Sequence, residues 1–415
     1  MNSLRNFTAC WVYNLARRRE VSMGFSKERR DFLKASVAAG TALTISGWGF
    51  DSLLAASNKT LTFADIGVGD PGGDWSKFTK QTGWAVNLVA IGNAPSTILN
   101  VLIAGGGLKT YDMMNIVGGL QKPLVENDLI AEIDTSQIPN WQKNSYIQQY
   151  LAPGTPGFDF IGYKNKIYGV PTVLQGDSFA YLPDVTGPLD SYGALFDPKW
   201  KGYVALEDNY TTAGQKTALY LKKNKLADIK DPSNMTPGEL KTVIDFLIEK
   251  KKEGQFRVIW TGFEQAVNLL MNKEVYVMDC WEPMVFVARN KGLNVLYADP
   301  KEGYLLWAMA AYIVNAPDRT AEKTKAVYEL LNFMLGPWYG ARITEMRGYM
   351  TNPQAAEYAK THPDEFSAEE AKKVAEISDG VKRKFDKGGT WQNRWPAHVE
   401  EYESEWARFK AVRGS

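Results

Sequence analysis

Short apolar strands alternate with short helices between residues 60 and 117, and this rhythm restricts the fold more than any other feature of the sequence. Thr60–Ile66, Ala85–Ile91 and Asp112–Val117 are brief apolar runs, which is typical of buried strands. The segments between them, Trp75–Thr82 and the one that carries Ile98–Ile103, place apolar residues three or four positions apart, as helices do. A β-α-β-α-β succession predicts a parallel sheet with covering helices, and hence an α/β fold.

The second half of the chain carries clear helix and strand signals. Thr236-Pro-Gly-Glu239 and Ser367-Ala-Glu-Glu370 match the capping box that begins many helices. Val275–Cys280 is another short apolar run and predicts a strand. A chain of 415 residues is long enough for about two domains and a sizeable core.

The rarity of Cys and His excludes several kinds of site. The chain has two Cys and two His, too few for a disulfide framework or a zinc module built on Cys. Cys280 has no His close to it in sequence, so we expect a buried structural thiol and not a nucleophile. Lys and Arg number 48 against 47 Asp and Glu, and a net charge of +1 argues against a nucleic-acid partner. We therefore expect neither a cofactor nor nucleic acid.

The first 56 residues have the features of an export signal. Arg29-Arg30 followed by Asp31-Phe-Leu-Lys34 resembles the twin-arginine signal, and residues 35–50 are uncharged but too short and too polar to span a membrane stably. Small residues follow near Ala56, where a signal peptidase could cleave, while Met1 and Met23 both remain candidate starts. We expect residues 1–56 to be a signal peptide. The mature chain should then be periplasmic and not embedded in the membrane.

The segment Gly67-Val-Gly-Asp-Pro-Gly72 fits the glycine spacing of a dinucleotide-binding loop. Two features oppose that interpretation. The second predicted strand carries no acidic residue to hold a ribose, and in the loop Pro71 removes an N–H donor while Asp70 would repel phosphate. We favour a glycine-rich turn at the carboxyl end of a strand, a position where α/β sheets bind other ligands.

Several motifs from residue 168 onward resemble the solute-binding proteins of ABC transporters. Tyr168-Gly-Val-Pro171, with Asp177-Ser178 and Ala180-Tyr181 after it, is similar to the strands near their hinge. Five further segments resemble the spermidine/putrescine-binding group: Leu195–Asp208, Tyr276–Trp281, Tyr297–Gly303, Phe333–Pro337 and Gly348-Tyr349. The resemblance covers about residues 60–400 and rests on the order and spacing of these motifs together.

This resemblance implies a type II periplasmic-binding-protein fold. Such a fold has two lobes, each a mixed sheet flanked by helices, with a ligand cleft between them. We expect 57–182 with 283–335 to form the first lobe and 183–282 with 336–415 the second, joined by crossing strands near 182 and 281. The resemblance further implies a monomeric receptor that passes a small-molecule solute to the permease and ATPase subunits of an importer.

The resemblance also indicates where a solute would bind, although this chain departs from the polyamine-binding pattern. Trp281 matches the cleft tryptophan, but Pro283 stands where that family usually has Asp. The solute could therefore be a polyamine, a smaller amine or another organic molecule. The 13 Trp and 20 Tyr offer flat surfaces that can wrap an alkyl chain or stack on a cation. The predicted contact residues are Asp70, Asn93, Gln175, Asp177, Glu207, Asp208, Tyr210, Trp260, Trp281 and Glu282.

Two other functions are weighed against a solute receptor. An exported enzyme on the same scaffold would need a nucleophile paired with a base, and the sequence offers no such pairing. A ferric-ion-binding protein of the related group would need adjacent Tyr ligands, and residues 57–415 contain no Tyr-Tyr pair. We therefore expect a receptor and not an enzyme.

Overall fold

The computed structural model describes residues 59–92, 95–103 and 106–413. The predicted signal peptide and Asn93 lie outside these residues. The described part contains twelve strands: β1 (Thr60–Asp65), β2 (Ala85–Ala90), β3 (Met113–Val117), β4 (Gly162–Tyr163), β5 (Lys166–Ile167), β6 (Gly169–Tyr181), β7 (Val204–Glu207), β8 (Phe256–Trp260), β9 (Val277–Cys280), β10 (Leu296–Tyr297), β11 (Tyr304–Ile313) and β12 (Gly389–Trp391).

Helices connect and cover these strands. In the described residues they are α1 (Ser76–Thr82), α2 (Pro95–Ile103), α3 (Gly107–Thr110), α4 (Gln121–Glu126), α5 (Ser145–Tyr150), α6 (Pro183–Thr186), α7 (Gln215–Lys223), α8 (Pro237–Lys252), α9 (Phe263–Met271), α10 (Glu282–Asn290), α11 (Ala321–Met334), α12 (Pro337–Arg347), α13 (Ala355–Thr361), α14 (Ala368–Lys387) and α15 (Val399–Ala411). The two capping boxes predicted from the sequence are confirmed at the starts of α8 and α14.

Ten of the strands join in one mixed sheet, in which eight follow the order β2-β1-β3-β11-β6-β9-β7-β8, while β10 pairs with β6 and β12 pairs with β11. β4 and β5 form a separate two-stranded sheet. β1 runs parallel to β2 and β3, which confirms the parallel arrangement predicted from the β-α-β-α-β rhythm. At the other end of the sheet β7 runs parallel to β8 and β9. Two antiparallel strands, β6 and β11, separate these parallel groups.

The 13-residue strand β6 belongs to both groups of strands. Residues 169–177 pair with β11, which in turn pairs with β3 of the first group. Residues 178–181 pair with β9 of the second group. The chain therefore passes from the first group to the second along β6. The return strand is β11, because the segment near 281 follows β9 inside the second group.

Buried apolar side chains fall into three clusters. The first packs around β1–β3 and β11 and includes side chains of α11–α14, among them Phe63, Leu330, Tyr339 and Phe385. The other two lie on opposite faces of the second strand group, because alternate residues point to opposite sides of a strand. One contains Val204, Leu206 and Val277, and the other contains Ala205, Met278 and Cys280.

These clusters bear on the two lobes expected from the sequence. Side chains from α12, α13 and α14 pack in the first cluster, whereas those of α15 pack in the second. The predicted lobe boundaries stay a prediction, and this packing would move residues 336–391 to the first lobe. Cys280 is fully buried, as predicted for a structural thiol. Among the described residues, no helix is long and apolar enough to cross a membrane.

A glycine after β3 allows the segment that follows β12 to approach closely. Gly119 has a φ of +100°, and a Cβ there would lie 1.8 Å from the carbonyl oxygen of Asn393.

We expect Gly119→Ala to lower the free energy of unfolding by at least about 2 kcal/mol, through backbone strain and displacement of that segment. Chemical denaturation measures the change. Gly238→Ala in α8 is the control, because its Cβ would meet nothing within 4 Å; an equal, small effect of both variants would contradict the close approach.

Candidate functional site

The glycine-rich loop after β1 is held by the last residue of its own strand. The buried carboxylate of Asp65 accepts hydrogen bonds from the backbone N–H groups of Gly67 at 2.7 Å and Gly69 at 3.0 Å. It also accepts one from Asn115 Nδ2 at 2.7 Å, and burial raises its pKa. Because a carboxylate already occupies these loop donors, they are not available to a phosphate, in agreement with the rejection of a nucleotide loop.

A polar network extends from this loop across the first strand group. Asn115 on β3 accepts a hydrogen bond from Thr172 Oγ1 on β6 at 2.6 Å, and Tyr339 of α12 donates to the carbonyl of Gly69 at 2.7 Å. Asp70 is half-buried, and Arg347 donates to its backbone carbonyl at 3.3 Å. The network fixes the loop on which the predicted site residue Asp70 lies.

The carboxyl ends of β7, β8 and β9 bring three predicted site residues together. Parallel strands end at the same edge of a sheet, and here Glu207 ends β7, Trp260 ends β8 and Trp281 follows β9. Trp281 Nε1 donates to Glu207 Oε2 at 3.0 Å. The Trp260 and Trp281 rings lie 5.6 Å apart at 79° to each other, an edge-to-face arrangement.

A buried ion pair lies beneath these residues. The Lys216 ammonium at the start of α7 pairs with the Asp279 carboxylate on β9, and both side chains are fully buried. The backbone N–H of Glu207 donates to Asp279 at 3.2 Å. Burial and the nearby negative Asp279 raise the pKa of Glu207 to about 8, although Lys216 opposes the shift.

A second ion pair joins the start of α10 to the end of α14. Glu282 accepts a hydrogen bond from the Lys384 ammonium at 2.7 Å and from Gln175 Nε2 at 3.1 Å. Gln175 also donates to the carbonyl of Gly348 at 3.0 Å. The predicted site residues Glu282 and Gln175 are therefore in direct contact, and the charge of Glu282 is already balanced by a lysine.

Asp177 on β6 lies within electrostatic reach of both lysines. It is buried and accepts a hydrogen bond from Gln392 Nε2 at 2.8 Å. Burial raises its pKa, while the positive charges of Lys216 and Lys384 act in the opposite direction. Asp177 therefore interacts electrostatically with the lysines of both ion pairs.

Two predicted site residues are engaged elsewhere. The Asp208 carboxylate accepts a hydrogen bond from Trp406 Nε1 at 2.8 Å and lies 3.2 Å from the Lys410 ammonium, both on α15. Tyr210 packs its ring 5.4 Å from that of Tyr402, also on α15, and burial raises its pKa. The structure therefore does not bring these two side chains into contact with Trp281.

Several residues of this region were not predicted from the sequence. Lys216, Asp279 and Lys384 complete the ion pairs, and Trp307 lies opposite Gln175 on β11. Trp307 packs edge-on against Tyr349, with ring centres 5.5 Å apart. A charged residue inside an apolar run is the signal that could have identified Asp279, since it interrupts the strand Val277–Cys280. Among the described residues, no group of three or more His, Cys, Asp or Glu is arranged to hold a metal ion.

Comparison with known proteins identifies the family. Residues 75–374 match the family model of bacterial extracellular solute-binding proteins. The chain belongs to this family. The family is one of substrate-binding receptors.

Named relatives and solved structures agree with this assignment. The spermidine/putrescine-binding periplasmic protein of Escherichia coli is 24% identical over 88% of this chain and 95% of its own length. Spermidine/putrescine-binding periplasmic protein 1 of Haemophilus influenzae is 22% identical over 86% and 91%. A spermidine/putrescine transporter substrate-binding protein from Streptococcus pneumoniae superimposes with a TM-score of 0.62 at 18% identity, covering 86% of this chain and 99% of its own. The expected type II periplasmic-binding-protein fold is confirmed.

The raised pKa of Glu207 predicts how stability depends on pH. Between about pH 4.5 and 8 the folded protein keeps a proton that the unfolded chain releases, so stability falls as pH rises through this window. The loss approaches about 1.4 kcal/mol per pH unit for a single group. We expect Glu207→Gln to remove this part of the slope, measured by urea unfolding at pH 5, 6, 7 and 8.

Asp65 and Asp177 add to the slope in both proteins, so the difference between wild type and variant isolates Glu207. Glu400→Gln, at an exposed position in the first turn of α15, is the matched control and should leave the slope unchanged. Identical slopes for wild type and Glu207→Gln would show that Glu207 is ionised across this range.

Proposed function

We propose that this protein is the solute receptor of an ABC importer and that its solute is a small organic amine. Membership in the solute-binding family supports the receptor role, and the names of its relatives support an amine. The observation that carries the proposal is the grouping of Trp281, Trp260 and Glu207 at one sheet edge. The half-buried indole of Trp281, packed against the buried Trp260, forms together with the Glu207 carboxyl group a suitable site for an ammonium group.

The physical basis is the attraction between an ammonium and both kinds of group. A cation over a desolvated indole face gains about 2 kcal/mol or more. A carboxylate adds a charge-assisted hydrogen bond, which is about twice as strong as a neutral one. Glu207 is kept largely protonated by burial, and the approach of an ammonium would favour its ionised form.

We place the solute between the edge formed by β7–β9 and the loop after β1. The proposed contacts are Trp281, Trp260, Glu207, Glu282, Gln175 and Asp177 on one side and Asp70 on the other. Asn93, which lies outside the described residues, stays a contact predicted from the sequence. Asp208 and Tyr210 are left out because α15 engages them. Since β6 and β11 connect the two strand groups, they are the natural hinge for closure around a solute.

The proposed partners follow from the proposed role. A receptor of this kind would act as a monomer in the periplasm and deliver its solute to permease and ATPase subunits. Export through the twin-arginine pathway, with cleavage near Ala56, is the proposed route to that compartment. This route rests on the sequence of residues 1–56.

Trp281→Ala tests the amine site. In isothermal titration calorimetry with putrescine and spermidine, we expect the variant to bind the preferred amine at least about 30-fold more weakly, since about 1.4 kcal/mol corresponds to a factor of ten. The melting temperature without solute should fall little, because Trp281 is half-buried and lies at the start of α10. Trp281→Phe keeps a ring face but loses the hydrogen bond to Glu207, and should show an intermediate affinity.

Tyr203→Ala is the matched control, since this exposed aromatic residue precedes the opposite end of β7. If neither amine binds the wild type, the proposed class of solute is wrong. If Trp281→Ala binds normally but melts much earlier, the indole packs the fold and does not contact the solute.

Replacement of the arginine pair tests the export route. We expect the double substitution Arg29→Lys and Arg30→Lys to leave the precursor in the cytoplasm, because the pathway recognises the guanidinium pair. Cell fractionation and immunoblotting measure the distribution. Substitution of Arg17 and Arg18 by Lys is the control, and normal periplasmic accumulation of the Arg29/Arg30 variant would contradict the route.

A further inference from the structure

Two buried lysines of the described residues lie beside or beneath the proposed solute site. Among the described residues, Lys216 and Lys384 are the lysines that are buried, and each pairs with a carboxylate beside Trp281. We infer that these two ammonium groups act as built-in cations of the cleft, so that the receptor accepts an amine with one or two positive charges and discriminates against one with three. This inference rests on the proposed function and narrows its class of solute.

Lys384 occupies a complete ammonium site made by the protein itself. Its Nζ donates to Glu282 Oε2 at 2.7 Å, to Gln175 Oε1 at 2.9 Å and to the carbonyl of Gly176 at 3.0 Å. The same nitrogen lies 5.1 Å and 5.5 Å from the ring centres of Tyr297 and Tyr304. Three acceptors and two aromatic faces are the contacts that would hold a primary ammonium of a solute, and a protein side chain already fills this position.

Lys216 plays the same part at the other ion pair. It pairs directly with Asp279, and the charges of Asp177 and Glu207 also act on it. Together they raise its pKa in spite of complete burial, which by itself would lower it. The ammonium therefore stays charged, and Asp279 is not available to a solute.

The balance of charge limits what the cleft can hold. Four carboxylates, those of Asp177, Glu207, Asp279 and Glu282, face two lysines, so at most two negative charges remain for a solute. On the side of the loop, the Asp65 carboxylate is engaged by three N–H donors and the Asp70 carboxylate accepts from the backbone N–H of Gly73. Arg347, which donates to the backbone carbonyl of Asp70, adds one positive charge nearby. A third ammonium would be desolvated without a carboxylate partner, which is unfavourable.

The first experiment compares amines of increasing charge on the wild-type mature protein. Butylamine, putrescine and spermidine carry one, two and three positive charges, and calorimetry at fixed pH and salt gives each dissociation constant. We expect spermidine to bind at least about ten-fold more weakly than the tighter of the other two. Spermidine binding as tightly as putrescine would overturn the inference while leaving the proposed function intact. Failure of all three amines to bind would overturn the proposed function itself.

The second experiment removes one built-in cation. Lys384→Met frees Glu282 and Gln175, and we expect the ratio of spermidine to putrescine affinity to rise at least about ten-fold. Lys382→Met, an exposed lysine of the same helix, is the control and should leave the ratio unchanged.

The double variant Lys384→Met with Glu282→Gln removes one charge of each sign, so its ratio should return to that of the wild type. If the single variant folds poorly, the double variant still allows the affinity ratio to be measured, because it leaves no buried carboxylate unpaired. An unchanged ratio in the single variant, or an equally raised ratio in the double variant, would contradict the charge balance.

Discussion

The pairing of β6 with β11 is the interaction on which the rest of the structure depends. β6 is buried along all 13 residues and β11 along all ten, and together they are the strands that link the two parallel groups. Their register sets Gln175 opposite Trp307 and continues into the pairing of β6 with β9. Because antiparallel partners share a face, this register brings residues more than 100 positions apart to one place. The proposed site depends on it.

The buried charges of this region are not explained by stability alone. Removing an ion from water costs several kcal/mol, and a hydrophobic pair in the position of Lys216 and Asp279 would often be as stable or more stable. What the pair does provide is an electrostatic field: Asp279 helps to hold the pKa of Glu207 near 8, and Lys216 acts on both Glu207 and Asp177. We therefore interpret these ions as determinants of charge selectivity, which a hydrophobic pair could not supply.

The sequence alone predicted those features that depend on neighbouring residues. The strands of the first group, the capping boxes at Thr236 and Ser367, and the position of Trp281 at the end of a strand follow from local patterns. The ion pairs could not be predicted in this way, since Lys216 and Asp279 are 63 residues apart and Lys384 and Glu282 are 102 apart. Asp208 shows the same limit, because the Trp406 that engages its carboxylate lies 198 residues further along the chain.

The arrangement also suggests how solute binding can be coupled to closure. Without a solute, Lys216 and Lys384 already balance the charges of Asp279 and Glu282. These ion pairs therefore leave no unpaired charge of their own that would favour an open or a closed cleft. Glu207 differs, because its carboxyl group accepts a hydrogen bond from Trp281 but is largely neutral when buried, and it becomes ionised when an ammonium of the solute lies beside it. A solute shifts a conformational equilibrium only by its differential affinity for the two states. An ammonium held between Glu207 and the indole of Trp281 would provide that difference, since burial of the site strengthens both interactions.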